Sequence, residues 1–122
     1  MKEYMMTIDR LETTNRMSQV VTHGNTVYLA GQVALKAAGE TVTSQTEAIL
    51  KQIDSLLQMA ETDKSKLLTA TIWLCSMDDF QEMNSVWDSW VSVGNSPCRA
   101  CVESPRLASD QFNVEIMVTA AK

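Results

Sequence analysis

Leu67-Leu68-Thr69-Ala70-Thr71-Ile72-Trp73-Leu74-Cys75 is a nearly unbroken run of apolar and β-branched residues. It is too short for a strong amphipathic helix and reads as a strand covered on both faces. A helix precedes it. Ser44 has the N-cap character for that helix, and Glu47 stands at capping-box spacing, where each side chain satisfies an orphan backbone N–H. Ile49, Ile53, Leu56 and Ala60, widened by Leu50 and Leu57, form one apolar stripe, while Lys51, Gln52, Asp54 and Ser55 face water. The helix is expected over residues 44–61.

A second helix follows the run. Ser76 is a good N-cap, and Asp78 and Asp79 favour the positive end of a helix dipole. Phe80, Met83, Trp87 and Trp90 recur at helical spacing, with Gly94 expected as the C′ stop. Beyond Pro97, Cys98–Glu103 reads as a strand, Pro105–Asp110 as a loop and Phe112–Ala120 as a last strand. Upstream, Met5–Ile8 is a short first strand. Met17–Thr22 and Val27–Ala30 flank the turn His23-Gly24-Asn25-Thr26 as a hairpin over 17–31, and a loop spans Lys36–Glu40.

The expected order is β-β-β-α-β-α-β-β. A long strand after each helix implies crossover connections in one mixed sheet, with both helices on one face. The chain, residues 1–122, is then a single α+β domain. Two helices cover one face only, so a second copy is the simplest cover for the other, which points to a homo-oligomer.

Composition narrows function. Fifteen acidic against ten basic residues give a net charge of −5, which disfavours general nucleic-acid binding. No apolar run approaches the ~20 residues that span a membrane, and Met1-Lys2-Glu3-Tyr4 leads into no signal-peptide core, so a cytoplasmic protein is expected. The three cysteines, Cys75, Cys98 and Cys101, fit a reducing compartment. Cys98-x-x-Cys101 has redox or zinc spacing, but no second Cys or His pair accompanies it, so no metal or cofactor is expected. His23 is the sole histidine and reads as a solvated turn residue.

Arg99 stands out, because it interrupts an apolar strand. A buried guanidinium needs partners, and its planar fork suits a carboxylate. That carboxylate is either a ligand's or a structural one from Glu103, Glu115 or a neighbouring subunit. Glu115 alternates with Val114 and Ile116 and shares its strand face with Met117; catalytic and structural roles both fit. Asn84 either points into a pocket or lies on an exposed helix face. Trp87 and Trp90 suit a core or subunit interface better than a ligand cage, and Lys64 and Lys66 a solvated surface.

The segments Tyr28-Leu29-Ala30-Gly31-Gln32, Asp78-Asp79-Phe80 with Met83-Asn84, Pro97-Cys98-Arg99-Ala100-Cys101-Val102 and Val114-Glu115-Ile116, in this order, resemble the RidA (YjgF/YER057c/UK114) family over roughly residues 17–120. Met83–Val91 looks closest to its YoaB-like branch. The resemblance implies a chorismate-mutase-like fold and a homotrimer with clefts between neighbours. It also implies deaminase chemistry, in which enamines or imines such as 2-aminoacrylate are hydrolysed to 2-keto acids and ammonia. Arg99 matches the arginine that grips the substrate carboxylate, and Cys101 a residue whose backbone contacts ligand. Asn84 and Gly31 match positions lining the cleft.

Three departures accompany the match. The family's water-orienting glutamate falls at Met117, a tyrosine at Met17 in Arg16-Met17-Ser18-Gln19, and a serine at Ala30. Losing that carboxylate would remove about 10²–10⁴ in rate. Glu115 could replace it only if the cleft were displaced by about 6–7 Å, two residue rises. The readings are therefore an imine deaminase, a non-catalytic module that binds or senses a small carboxylate, and a ribonuclease or translation inhibitor. The acidic balance argues against the last.

Overall fold

In a computed structural model, which describes residues 7–122, the chain runs β1 (Ile8–Thr13), β2 (Ser18–His23), β3 (Thr26–Leu29), β4 (Gln32–Val33), α1 (Val42–Met59), β5 (Leu67–Leu74), α2 (Phe80–Trp90), β6 (Cys98–Glu103) and β7 (Val114–Ala121). Short 3-10 turns precede β5 at Lys64–Lys66 and α2 at Met77–Asp79. The expected order holds, with the two-residue β4 added. One mixed sheet has the order β1-β2-β3-β7-β5-β6, with β4 also on β7. Every pairing is antiparallel except β5 with β6. Parallel neighbours need a crossover, and α2 supplies it.

Both helices cover the same face. Leu67, Ala70, Ile72 and Leu74 of β5, Val114, Ile116, Val118 and Ala120 of β7, and Val20, Val27 and Leu29 of the hairpin are buried beneath them. The apolar stripe of α1 meets this layer through Ile49, Leu50, Ile53, Leu56 and Leu57, and α2 adds Met83 and Trp87.

The other face stays open. Side chains alternate, so Thr69, Thr71 and Trp73 point away from the helices; Thr69 is exposed and the other two are half-buried. The expectation that β5 is covered on both faces is therefore not met within one chain. Its residues are apolar enough for two covers, but the chain supplies two helices on one side only. Tyr28, Val102 and Met117 are also exposed, at 46%, 45% and 39%.

Several boundaries move for local reasons. The first strand is Ile8–Thr13 rather than 5–8; Met5 and Met6 lie outside the described residues. Thr41, not Ser44, caps α1 by accepting from the Ser44 N–H at 3.1 Å, so the helix starts two residues early. Ser76 caps the 3-10 turn ahead of α2, accepting from the Asp78 N–H. Helix α2 ends at Trp90 with Val91 as C-cap; Gly94, at φ +79°, shapes the following turn instead of the helix end. The last strand begins at Val114 because the Asn113 N–H is taken by Gln45 Oε1 at 2.9 Å. No helix among the described residues is long and apolar enough to cross a membrane.

Candidate functional site

Arg99 is placed by two elements. On β6 it pairs with Ala70, and Cys101 with Ile72. Paired residues share a sheet face, so both side chains rise on the helix side, beside α2. Phe80, Asn84 and Trp87 are spaced four and three residues apart, which puts them on one side of α2. Arg99 Nη1 donates to Asn84 Oδ1 at 2.8 Å, and its Cζ lies 5.4 Å from the Trp87 ring centroid and 5.9 Å from that of Phe80. Cation–π contacts of this kind contribute about 0.5–1 kcal/mol at exposed positions. The guanidinium is thus aimed by an amide and two rings, and most of its N–H groups remain for a guest.

Arg99 itself is exposed. The expectation of a buried guanidinium fails for the single chain, because β6 is the edge strand of the sheet. Structural pairing with Glu103 or Glu115 is also not what forms. Glu103 Oε1 accepts from the Met77 N–H at 2.9 Å, and Glu115 lies on the opposite face. Asn84 is half-buried and turned towards Arg99, so it is not a solvated helix position.

Cys101 is half-buried; burial pushes its thiol pKa up, with the Arg99 cation pulling the other way. Cys98 pairs with Thr69 on the open face, so the thiols of Cys98-x-x-Cys101 point to opposite sides of the sheet. That geometry unites them neither as a dithiol nor as a chelating pair. His23 is exposed at the end of β2, against the hairpin turn.

The second group gathers around Gly31, between β3 and β4. Val33 pairs with Glu115, which on its other side pairs with Trp73 of β5; Met117 pairs with Thr71. Glu115 and Met117 therefore both stand on the open face. Only Glu115 meets Gly31: a Cβ placed on that glycine would lie 2.2 Å from Glu115 Oε2 and 3.1 Å from its Cδ. Glycine here makes room for a carboxylate. Burial raises the Glu115 pKa from its ordinary value of 4.5. Met117, placed by resemblance at the glutamate position, points out opposite Thr71, two residues along the strand.

Ala30, next to Gly31, donates its N–H to Gln19 O at 2.9 Å. Met17 accepts the Thr14 N–H in the β1–β2 turn and is 43% exposed. Met17, Ala30 and Gly31 thus share the open end of the β2–β3 hairpin with the Glu115 carboxylate. Arg99, Asn84 and Cys101 make up one half of the candidate site, and Gly31, Glu115, Ala30 and Met17 the other. The halves lie on opposite faces of one sheet, so a single chain does not bring them together.

Two features were not anticipated from the sequence. The Phe80 and Trp87 floor under Arg99 was detectable in principle, as aromatic residues flanking Asn84 at helical spacing. The Gly31–Glu115 contact left no signal in spacing, because it depends on the register of β4 against β7.

The model of the Endoribonuclease L-PSP family matches residues 7–122. A RutC family protein of Haemophilus ducreyi is 43% identical over 114 residues, covering 93% of this chain and 96% of that protein. The RutC family protein YoaB of Escherichia coli K12 is 39% identical over 116 residues, covering 95% and 99%. The crystal structure of NMB1025, a member of the YjgF protein family from Neisseria meningitidis, superposes with a TM-score of 0.92 at 44% identity and 96% coverage of both chains.

Proposed function

We propose, from the premise that this chain belongs to the Endoribonuclease L-PSP family, which includes YjgF and RutC proteins, that it hydrolyses small enamines or imines bearing a carboxylate. The site is a cleft between copies of the chain. Arg99 of one copy meets Gly31 and Glu115 of the next, in the cytoplasmic homotrimer that the resemblance implies.

The single observation that carries the reading is the Glu115 carboxylate folded against Gly31. Burial raises the pKa of this carboxylate, which makes it a stronger base than a free one for accepting a proton from water. Arg99, aimed by Asn84, Phe80 and Trp87, holds the substrate carboxylate. Glu115 accepts a proton from a water molecule as that water attacks the imine carbon. The former imine nitrogen takes that proton back, completing the carbinolamine, whose hydroxyl proton then passes through Glu115 to the nitrogen as the C=O forms and ammonia leaves. One imine and one water give one 2-keto acid and one ammonia. Glu115 takes the water-orienting role that the resemblance had assigned to position 117.

Non-catalytic binding or sensing is the second reading. It is favoured by Met17 and Ala30, which bring no hydroxyl to the hairpin end.

The test is the decay of 2-iminopropionate generated in situ with purified protein. Hydrolysis faster than buffer, abolished by Glu115→Gln and weakened by Arg99→Ala, supports the enzyme. Removing the guanidinium should cost ~2–5 kcal/mol of affinity. Decay at the buffer rate with pyruvate still bound would leave the binding module. Pyruvate binding that ignores Arg99→Ala would remove the cleft assignment altogether.

A further inference from the structure

We propose that Trp73 is a positioning residue for Glu115, its indole walling off the β5 side of the carboxyl and confining that group against Gly31; the inference rests on the cleft reading above and assigns the residue that shapes its base. One row of side chains crosses the open face of the sheet. Val33 on β4 pairs with Glu115 on β7, Glu115 with Trp73 on β5, and Trp73 with Val102 on β6. Directly opposed residues hold their Cβ atoms about 4.5–5.5 Å apart, so the indole and the glutamate stem are immediate neighbours. Both residues are half-buried, and Trp73 is the one ring in a row otherwise made of valines.

The lean of the glutamate is the second observation. At this level β4 and β5 flank β7 on opposite sides. The carboxylate turns to the β4 side, where its Oε2 takes the space that a Cβ on Gly31 would fill. The residue type with no side chain thus makes room on one side, and the bulkiest one stands on the other. No other charge shares these surroundings within the chain. Neither β4 nor β5 carries an ionisable residue, and Glu115 is the sole one on β7. The grip of Glu115 on its proton is accordingly set by the exclusion of water: burial raises its pKa, and no charged neighbour contributes. Removing the ring admits water from the β5 side and frees the carboxyl to leave Gly31. In the proposed cleft, Arg99 of the next copy adds a cation that pulls the other way and is common to every Trp73 variant.

The experiment follows the Glu115 carboxyl carbon by NMR through a pH titration of the full chain, assigned by its loss in Glu115→Gln, beside the pH profile of 2-iminopropionate hydrolysis. Trp73→Ala should lower the pH at which Glu115 titrates by about one unit, a tenfold stronger acid. The acid limb of kcat should move with it, while KM, set by Arg99, stays within about twofold. Trp73→Phe, which keeps a ring, should restore both to near the parent's values. Trp73→Val keeps a strand-forming residue and should move the titration in the same direction as Trp73→Ala, so the test stands if the alanine variant fails to fold. A Glu115 titration unmoved by either small residue, or displaced as far by Trp73→Phe as by Trp73→Ala, would overturn the inference. A parent that hydrolyses no imine, yet whose Glu115 titration follows the side chain opposite it, would remove the catalytic reading and leave the positioning role standing.

Discussion

At Gly31 a missing methyl group decides where a carboxylate sits. Adding it as Gly31→Ala puts a Cβ on Glu115 Oε2, but the obstacle is the far end of a flexible side chain. We expect the fold to survive with a cost within about 1 kcal/mol, while imine hydrolysis falls at least about tenfold with KM little changed, since Arg99 is untouched. Steady-state kinetics beside a urea melt separates the two effects. Glu115→Gln tests the same carboxyl by pH. Because burial raises its pKa, the folded chain holds that proton more tightly than the unfolded one. Its contribution to stability is present below the ordinary value of 4.5 and is lost as pH rises through the raised one. Glu115→Gln should therefore melt higher than the parent at pH 7, with the advantage gone near the acid end of the range. Hydrolysis by the parent should rise with pH through the same titration. A melting difference independent of pH would contradict the assignment.

Among elements, Gln45 of α1 is the fastening that shapes the approach to β7. Fully buried, its Nε2 reaches Glu40 O, Gln111 O and Asn113 Oδ1, and its Oε1 takes the Asn113 N–H. Gln45→Leu keeps the volume but strands these groups, and should cost ~2–4 kcal/mol in urea denaturation. A loss below about 1 kcal/mol would show the loop satisfied by water instead. The elements themselves were legible where periodicity was strong. The stripe of α1, the spacing of α2 and the apolar run of β5 each state their structure locally. What was not legible depends on tertiary register. Gln52 reads as a water-facing helix residue, yet it reaches Gln32 and Val33 across to β4. Arg99 reads as buried because its neighbours are apolar, but strand order in the sheet, not composition, puts β6 at the edge. Glu115 and Met117 share a face and differ only in which residue stands opposite, so no pattern along β7 could choose between them.

For the whole molecule, the division of the candidate site between two faces makes a direct test. A mixture of Arg99→Ala chains, weakened alone, and Glu115→Gln chains, inactive alone, should regain activity if a cleft draws its two halves from different copies. With equal amounts and random assembly, about a quarter of the clefts would be intact, so recovery should approach that fraction of parental activity. No recovery after co-refolding would mean that both residues serve a cleft from the same chain. The split has a further consequence for control. A folded lone chain carries both halves and no complete site, so the number of working sites grows more steeply than protein concentration. Near the dissociation constant of the assembly, activity would follow the protein's own abundance, low when it is scarce and rising steeply as synthesis rises.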